Sequence, residues 1–178
     1  LLCLLLKDTS GSFKVMKIAL LHDSVLPPST YGGIERIVMA LAREYTRLGH
    51  EVVILARKGS QIRDYAFQAL PQDATEFDHW QWLPHGIDFL HSHQPLKTKP
   101  PLPFLVTIHG NGHAEEKYWA NTNFLSRSHT RNHGAKYFVF NGVDPDRYPF
   151  RAEKQDYFVF LAKTTWRVKN VKTAIAWA

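Results

Sequence analysis

The sequence predicts an α/β fold: a Rossmann-like parallel sheet with helices on both faces, followed by a truncated second domain. Three observations lead there. Apolar runs without alternation, "KIALLHD" and "HEVVILA", read as strands buried on both faces. An amphipathic stretch lies between them, and strand, helix and strand joined this tightly make a right-handed βαβ unit. Similar runs recur to about residue 144, where the composition turns into that of a linker.

Residues 1–15, "LLCLLLKDTSGSFKV", are expected to be an upstream extension, because Met16 and Lys17 before "IALL" resemble a natural start. The extension has no basic leader, and its apolar run is too short for a secretory core or a membrane span. "KIALLHD" is the first strand. From Ile34 the apolar positions Ile37, Val38, Leu41, Ala42, Tyr45 and Leu48 continue one helical stripe, which Gly49 stops. "HEVVILA" is the second strand. "QDATEFDHWQWL" reads as a helix, then "GIDFLHSHQ" and "PFLVTIHG" as strands with a Pro-rich link. "NFLS", "RSHTRNHGA" and "KYFVFNGV" read as strand, helix and strand, completing a domain over 16–144. The Pro, Asp and charge content of the next stretch makes 145–155 a linker. Residues 156–178 then supply one strand, "DYFVFLAKTT", and one helix, "NVKTAIAWA", of the second domain.

With 178 residues, 44% of them hydrophobic and 13% aromatic, the chain is long enough to bury the core of one full domain. A single cysteine, Cys3, leaves no internal disulfide and no Cys-based zinc site, which fits the cytoplasm. The net charge of +6 favours anionic partners. No Lys/Arg run is interleaved with aromatics along one face, so nucleic acid is not an expected partner.

Open parallel sheets bind ligands beyond the carboxyl ends of their strands. The first such end is His22 and Asp23, with a loop running to Gly32 and Gly33. Those glycines stand where a helix N-terminus offers free N–H groups, and without a Cβ they let an anionic oxygen reach the backbone. They also serve a plain turn, and both readings stay open. No G-x-G-x-x-G follows the strand, which disfavours NAD. Glu35, in the first helical turn, suits the dipole.

His91 and His93 alternate along one strand and share a face, and His109 ends the next. Such a set invites zinc, but Asp88 sits at the wrong end of its strand to complete a hydrolytic site, so no metal is expected. The histidines are read instead as partners of a hydroxyl-bearing substrate or as a proton-transfer group, with His91 and His113 closing strand ends.

"YGGIERIVMALAREYTRLGHEVVILA", "IDFLHSHQP", "VTIHGN", "FNGVDPDRYPF" and "FVFLAKTTWRVKNVKTAI" stand in the order and spacing of a known group. From Lys17 to Ala178 the chain resembles GT-B glycosyltransferases of family 4 (group 1 type), the large retaining group that includes glycogen synthase and bacterial mannosyltransferases. The resemblance implies two Rossmann-like domains, the first holding mostly the acceptor and the second the nucleotide-sugar donor. By the same resemblance Gly32 and Gly33 belong to a glycine loop near the donor phosphates or the acceptor, and His109 lies near the transferred sugar. His93 is placed with the substrate-binding residues. Asn141, Gly142 and Asp144 match the turn into the second domain, and Lys163 and Lys169 match the cations that neutralise the donor diphosphate.

Some positions depart from the family pattern. Lys163 replaces an Arg, turning a bidentate fork into a point charge. Asn170 replaces a Gly, the stretch between Arg57 and Leu102 is compressed, and the sequence stops before the place of the family's paired-glutamate motif. The expected partners are a nucleotide-diphosphate sugar and an acceptor sugar, lipid or small molecule, with no cofactor; peripheral membrane association stays open. The longer protein is expected to transfer a hexose with retention, and this chain alone to be inactive. The rival readings are a metal-dependent hydrolase using His91, His93 and His109, and a non-catalytic sugar- or anion-binding module.

Overall fold

The computed structural model describes residues 14–73, 78–113 and 115–177, so the extension expected over 1–15 lies almost wholly outside the described residues. The chain divides into two compact units, the first ending at Val143 and the second beginning at Asp144.

The first unit is built on six parallel strands: β1 (Lys17–His22), β2 (Glu51–Ala56), β3 (Ala66–Ala69), β4 (Phe89–Ser92), β5 (Phe104–Thr107) and β6 (Thr122–Asn123). Their order across the sheet is β3-β2-β1-β4-β5-β6. The direction of winding reverses between β1 and β4, and that switch point opens the crevice where such sheets hold ligands.

Helix α1 (Gly33–Arg47) carries the predicted stripe and returns the chain from β1 to β2. The register sets Ile18, Leu20 and His22 beside Val52, Ile54 and Ala56, and Val38 and Ala42 of α1 close over this face. Complete burial of Leu20, Ile54 and Val38 stabilises the contact by roughly 1.5–3 kcal/mol for each side chain. Past Arg47 the N–H of Leu48 bonds to Glu44 O at 2.9 Å and Gly49 takes φ +89°, a conformation that ends the helix cheaply only with glycine.

On the other face Ala19, Leu21, Val53, Leu55, Leu90 and Val106 pack with Trp80, Trp119 and Phe124. Both indoles donate: Trp80 Nε1 to Thr98 Oγ1 and Trp119 Nε1 to Leu96 O, each at 2.9 Å. Helix α2 (Arg127–Asn132) starts at Ser126, whose Oγ accepts from His129 N at 3.1 Å. His129 meets Phe124 edge to face at 4.8 Å, which ties α2 to this second face.

Several expectations are revised. Edge strand β3 is not foreshadowed in the sequence; Ala66, Phe67 and Gln68 are exposed and show no apolar run. "KYFVFNGV" contributes one bridge, Phe124 to Phe138, rather than a strand. The helix expected over 72–83 includes residues 74–77, outside the described residues; Asp78 is helical, and only the helix's end is revised, where Trp80 to Leu83 form a turn closed at 3.1 Å.

The second unit holds short 3-10 turns at Pro145–Arg147 and Arg167–Lys169 and helix α3 (Val171–Trp177). "DYFVFLAKTT" joins no ladder, and Phe158 and Leu161 are 93% and 95% exposed. A strand exists by sharing its backbone groups with a neighbour, and among the described residues this segment has none. Among the described residues no helix is long and apolar enough to cross a membrane.

Candidate active site

Three histidines mark the carboxyl ends of the central strands: His22 closes β1, His93 follows β4 and His109 follows β5. Leu20 pairs with His91 and His91 with Leu105, so His91, His93, Thr107 and His109 project to the same face as Leu20 and His22. The face covered by α1 therefore changes character across the switch point. It is apolar on β2 and most of β1, and it turns polar toward the carboxyl ends of β4 and β5, past Phe89 and Leu105.

The polar part is a ladder of imidazoles. The Tyr45 hydroxyl lies 3.1 Å from His91 Nδ1, and His91 Nε2 lies 2.8 Å from Thr107 Oγ1, tying α1, β4 and β5 together. The His91 and His93 rings are 4.3 Å apart, and His93 stacks on His109 at 5.2 Å. His93 Nδ1 is 2.9 Å from His109 Nε2, and Asn141 Nδ2 is 3.5 Å from His109 Nδ1. Among the described residues His93 Nε2 and His22 Nδ1 are buried without a hydrogen-bond partner.

These rings are neutral at pH 7. Burial, with a smaller push from His109, lowers His91 to about 3, and burial with three neighbouring histidines holds His93 well below the ordinary value. Burial and the nearby His22 bring His109 to about 4. Tyr45 moves the other way, to about 12, because burial disfavours its phenolate.

The two glycines of the loop differ. A Cβ on Gly32 would collide with Pro28 Cβ, and would stand 2.8 Å from Pro28 Cγ and 2.9 Å from Glu35 Oε2. One on Gly33 would meet open space. Gly32 is thus required by the loop's own packing, whereas Gly33 leaves the start of α1 uncovered. Glu35 lies at this helix end, where its carboxylate accepts from Ser24 Oγ at 2.9 Å and lies 3.9 Å from His22 Nε2. A cleft of about 410 Å³ runs alongside, lined by Ser24, Pro28, Tyr31 and Glu35 among others.

A second cleft, about 490 Å³, opens beyond β1, β2 and β4 between Asp23, Arg57, Leu70, Gln94 and Lys97. Asp23 pairs with Arg57 through two contacts of 2.6 and 3.0 Å, which hold its carboxyl below the usual range. Neither of these clefts is lined by His109.

Of the residues singled out in the sequence, the structure brings His93, His109 and Asn141 together and sets Gly32 and Gly33 at the head of α1. Asp144 caps a 3-10 turn by accepting from Asp146 N at 3.2 Å. In the second unit the ammonium groups of Lys163 and Lys169 lie 5.0 and 5.9 Å from the centre of the Trp166 ring. Tyr45 and Thr107 were not anticipated, since they read as one more stripe residue and one more strand residue. Glu35 was seen only as a dipole partner, although its position one turn past the loop from His22 foreshadows their meeting. Asp88 accepts from Lys17 N at 2.8 Å at the opposite strand ends. Among the described residues no three His, Cys, Asp or Glu side chains are grouped to hold a metal ion.

A family model described as Glycosyltransferase Family 4 matches residues 31–144. No curated protein gives a significant match. Among solved structures the chain is similar to the crystal structure of AviGT4, a glycosyltransferase involved in Avilamycin A biosynthesis. Identity is 23% and the TM-score 0.56, over 75% of this chain and 44% of the other. That likeness concerns the fold, and the chain spans 44% of the relative's length.

Proposed function

The chain belongs to glycosyltransferase family 4, and on that premise we propose that it serves a longer enzyme. That enzyme moves a hexose, with retention, from a nucleotide-diphosphate sugar to a hydroxyl of a sugar, lipid or small-molecule acceptor in the cytoplasm. The observation that carries the reading is the convergence of His22, His93 and His109 beyond the central strand ends, beside the open N-terminus of α1. Residues 16–144 form the acceptor-side domain, 145–155 the linker, and 156–178 the start of the donor domain.

As the sugar leaves, negative charge grows on the diphosphate oxygen. Fixed cations and N–H donors aimed there stabilise the transition state more than the ground state. Lys163 and Lys169 supply the cations, and the free amides at Gly33 supply donors. Gly32 shapes the loop that exposes those amides. His109, with Asn141 beside it, meets a hydroxyl of the transferred sugar or the acceptor. A ring whose pKa is about 4 is a poor proton store at pH 7, so its role is to orient. His93 backs it, and Asp144 sets the turn out of the domain. No metal or other cofactor takes part in this scheme.

The test offers UDP- and GDP-sugars to this chain and to a version carrying a complete second domain, following heat of binding and sugar release. Transfer by the longer protein alone supports the proposal. Micromolar donor affinity or genuine transfer by the 178-residue chain would overturn the division of roles between the domains.

A further inference from the structure

His93 is among the most buried polar side chains of the first unit, at 3% exposure, so it is poorly placed to touch a substrate. Its polar contact is with another ring, Nδ1 to His109 Nε2 at 2.9 Å. A hydrogen bond between two neutral imidazoles holds one proton, so the two tautomers are locked together. Either His109 carries its proton on Nε2 and donates to His93, leaving a bare lone pair at its own Nδ1. Or His93 donates, and His109 carries its proton on Nδ1. What His109 presents at Nδ1, an acceptor or a donor, is therefore decided at His93.

Asn141 distinguishes the two states. Its Nδ2 faces His109 Nδ1 at 3.5 Å, and an amide N–H there needs a lone pair opposite. His93 itself has little freedom to move. Its ring is packed between His91 and His109, and His91 is in turn pinned by Tyr45 and Thr107. Burial keeps both members of the pair uncharged at neutral pH, which removes the doubly protonated alternative.

We infer that His93 is a positioning residue for His109: it accepts from His109 Nε2 and so keeps His109 Nδ1 a hydrogen-bond acceptor, whose single lone pair passes from the Asn141 amide to a substrate hydroxyl that displaces it. The catalytic relevance of this rests on the role proposed above for His109; the tautomer does not. The pair then selects for a hydroxyl donor at that point and against a ligand offering only a carbonyl or ether oxygen. A buried His93 Nε2–H with no partner is the cost of that arrangement.

Long-range proton–nitrogen correlation spectra of the chain labelled with ¹⁵N-histidine read the tautomers directly at pH 7. The expected spectrum shows His109 protonated at Nε2 and bare at Nδ1, with His93 protonated at Nε2. His93→Phe keeps a ring in the stack but removes the acceptor, and should leave His109 as a mixture of both tautomers. His93→Asn puts an amide oxygen near the lost Nδ1, and should restore the single Nε2–H form. A wild-type His109 protonated at Nδ1 overturns the inference whether or not the variants fold. An unchanged His109 spectrum in a folded His93→Phe overturns it as well. None of these outcomes depends on glycosyl transfer, so a failed transfer assay leaves the tautomer result standing.

Discussion

Pro28 closes so tightly over Gly32 that a Cβ at position 32 would stand 2.8 Å from the proline Cγ, while a Cβ at position 33 would touch nothing. The two glycines therefore separate a folding requirement from the binding role proposed for the open helix end. Gly32→Ala should cost about 1–3 kcal/mol of stability through overpacking against a rigid ring. Gly33→Val should leave the melting temperature nearly unchanged and, in the longer enzyme, remove most turnover by covering the helix end. Thermal melts of both variants with transfer rates check this. A fully active Gly33→Val would mean that the pair does no more than turn the chain.

The buried histidines predict an acid sensitivity that begins above the carboxylate range. The folded pKa of His91, about 3, lies below the ordinary 6.5, so the unfolded chain binds the extra proton. Stability from this source is whole above pH 6.5 and is lost as pH falls toward the folded value, at about 1.4 kcal/mol per pH unit for each such ring. Urea midpoints at pH 7, 6 and 5 should fall steadily, and His91→Gln should flatten the slope. A level profile down to pH 5 would show that the rings are solvated.

Asp23 acts in the same sense but in a lower pH window. Its carboxyl is held below 3.8 mainly by its hydrogen bond to Arg57, so the contribution is present above that value and disappears as pH falls through the lowered one. The pair is exposed and its effect small, weaker still in salt. Asp23→Asn should remove a low-pH, salt-sensitive component of stability and leave the slope between pH 7 and 5 intact. The same urea series in low and high salt measures it.

For the longer enzyme, Lys169→Ala should lose a charge-assisted contact of about 1.5–3 kcal/mol, a roughly ten- to hundredfold drop in donor affinity or turnover. Lys163→Arg should be neutral or helpful, since a planar fork grips a diphosphate better than a point charge and still stacks on Trp166. Donor titrations and rates decide. Damage from Lys163→Arg would place position 163 away from the diphosphate.

The central strands were legible because burial on both faces leaves a continuous apolar run, as in "IALL" and "VVILA". Edge strand β3 was not, because an exposed edge needs no apolar pattern. "YFVFLA" misled in the other direction: its composition suits a strand, but pairing is decided by a neighbour that the sequence of the segment does not contain. The strand-end histidines could be located by periodicity, whereas their mutual contacts could not. Periodicity gives the face a residue occupies, and the 2.9 Å between His93 and His109 depends on register between strands sixteen residues apart.

The sheet face that is hydrocarbon over β2 and carries imidazoles toward and just past the carboxyl ends of β4 and β5 sets heat resistance against service. An aliphatic side chain at 93 would fill the same space without the orphaned Nε2 or that ring's acid weakness, whereas one at 91 would strip the Tyr45 and Thr107 hydroxyls of their partner. A population of variants screened only for survival at high temperature would therefore drift toward Leu or Met at position 93 and keep His91. The proteins it yielded would be hardier and would have lost the ring that aims His109.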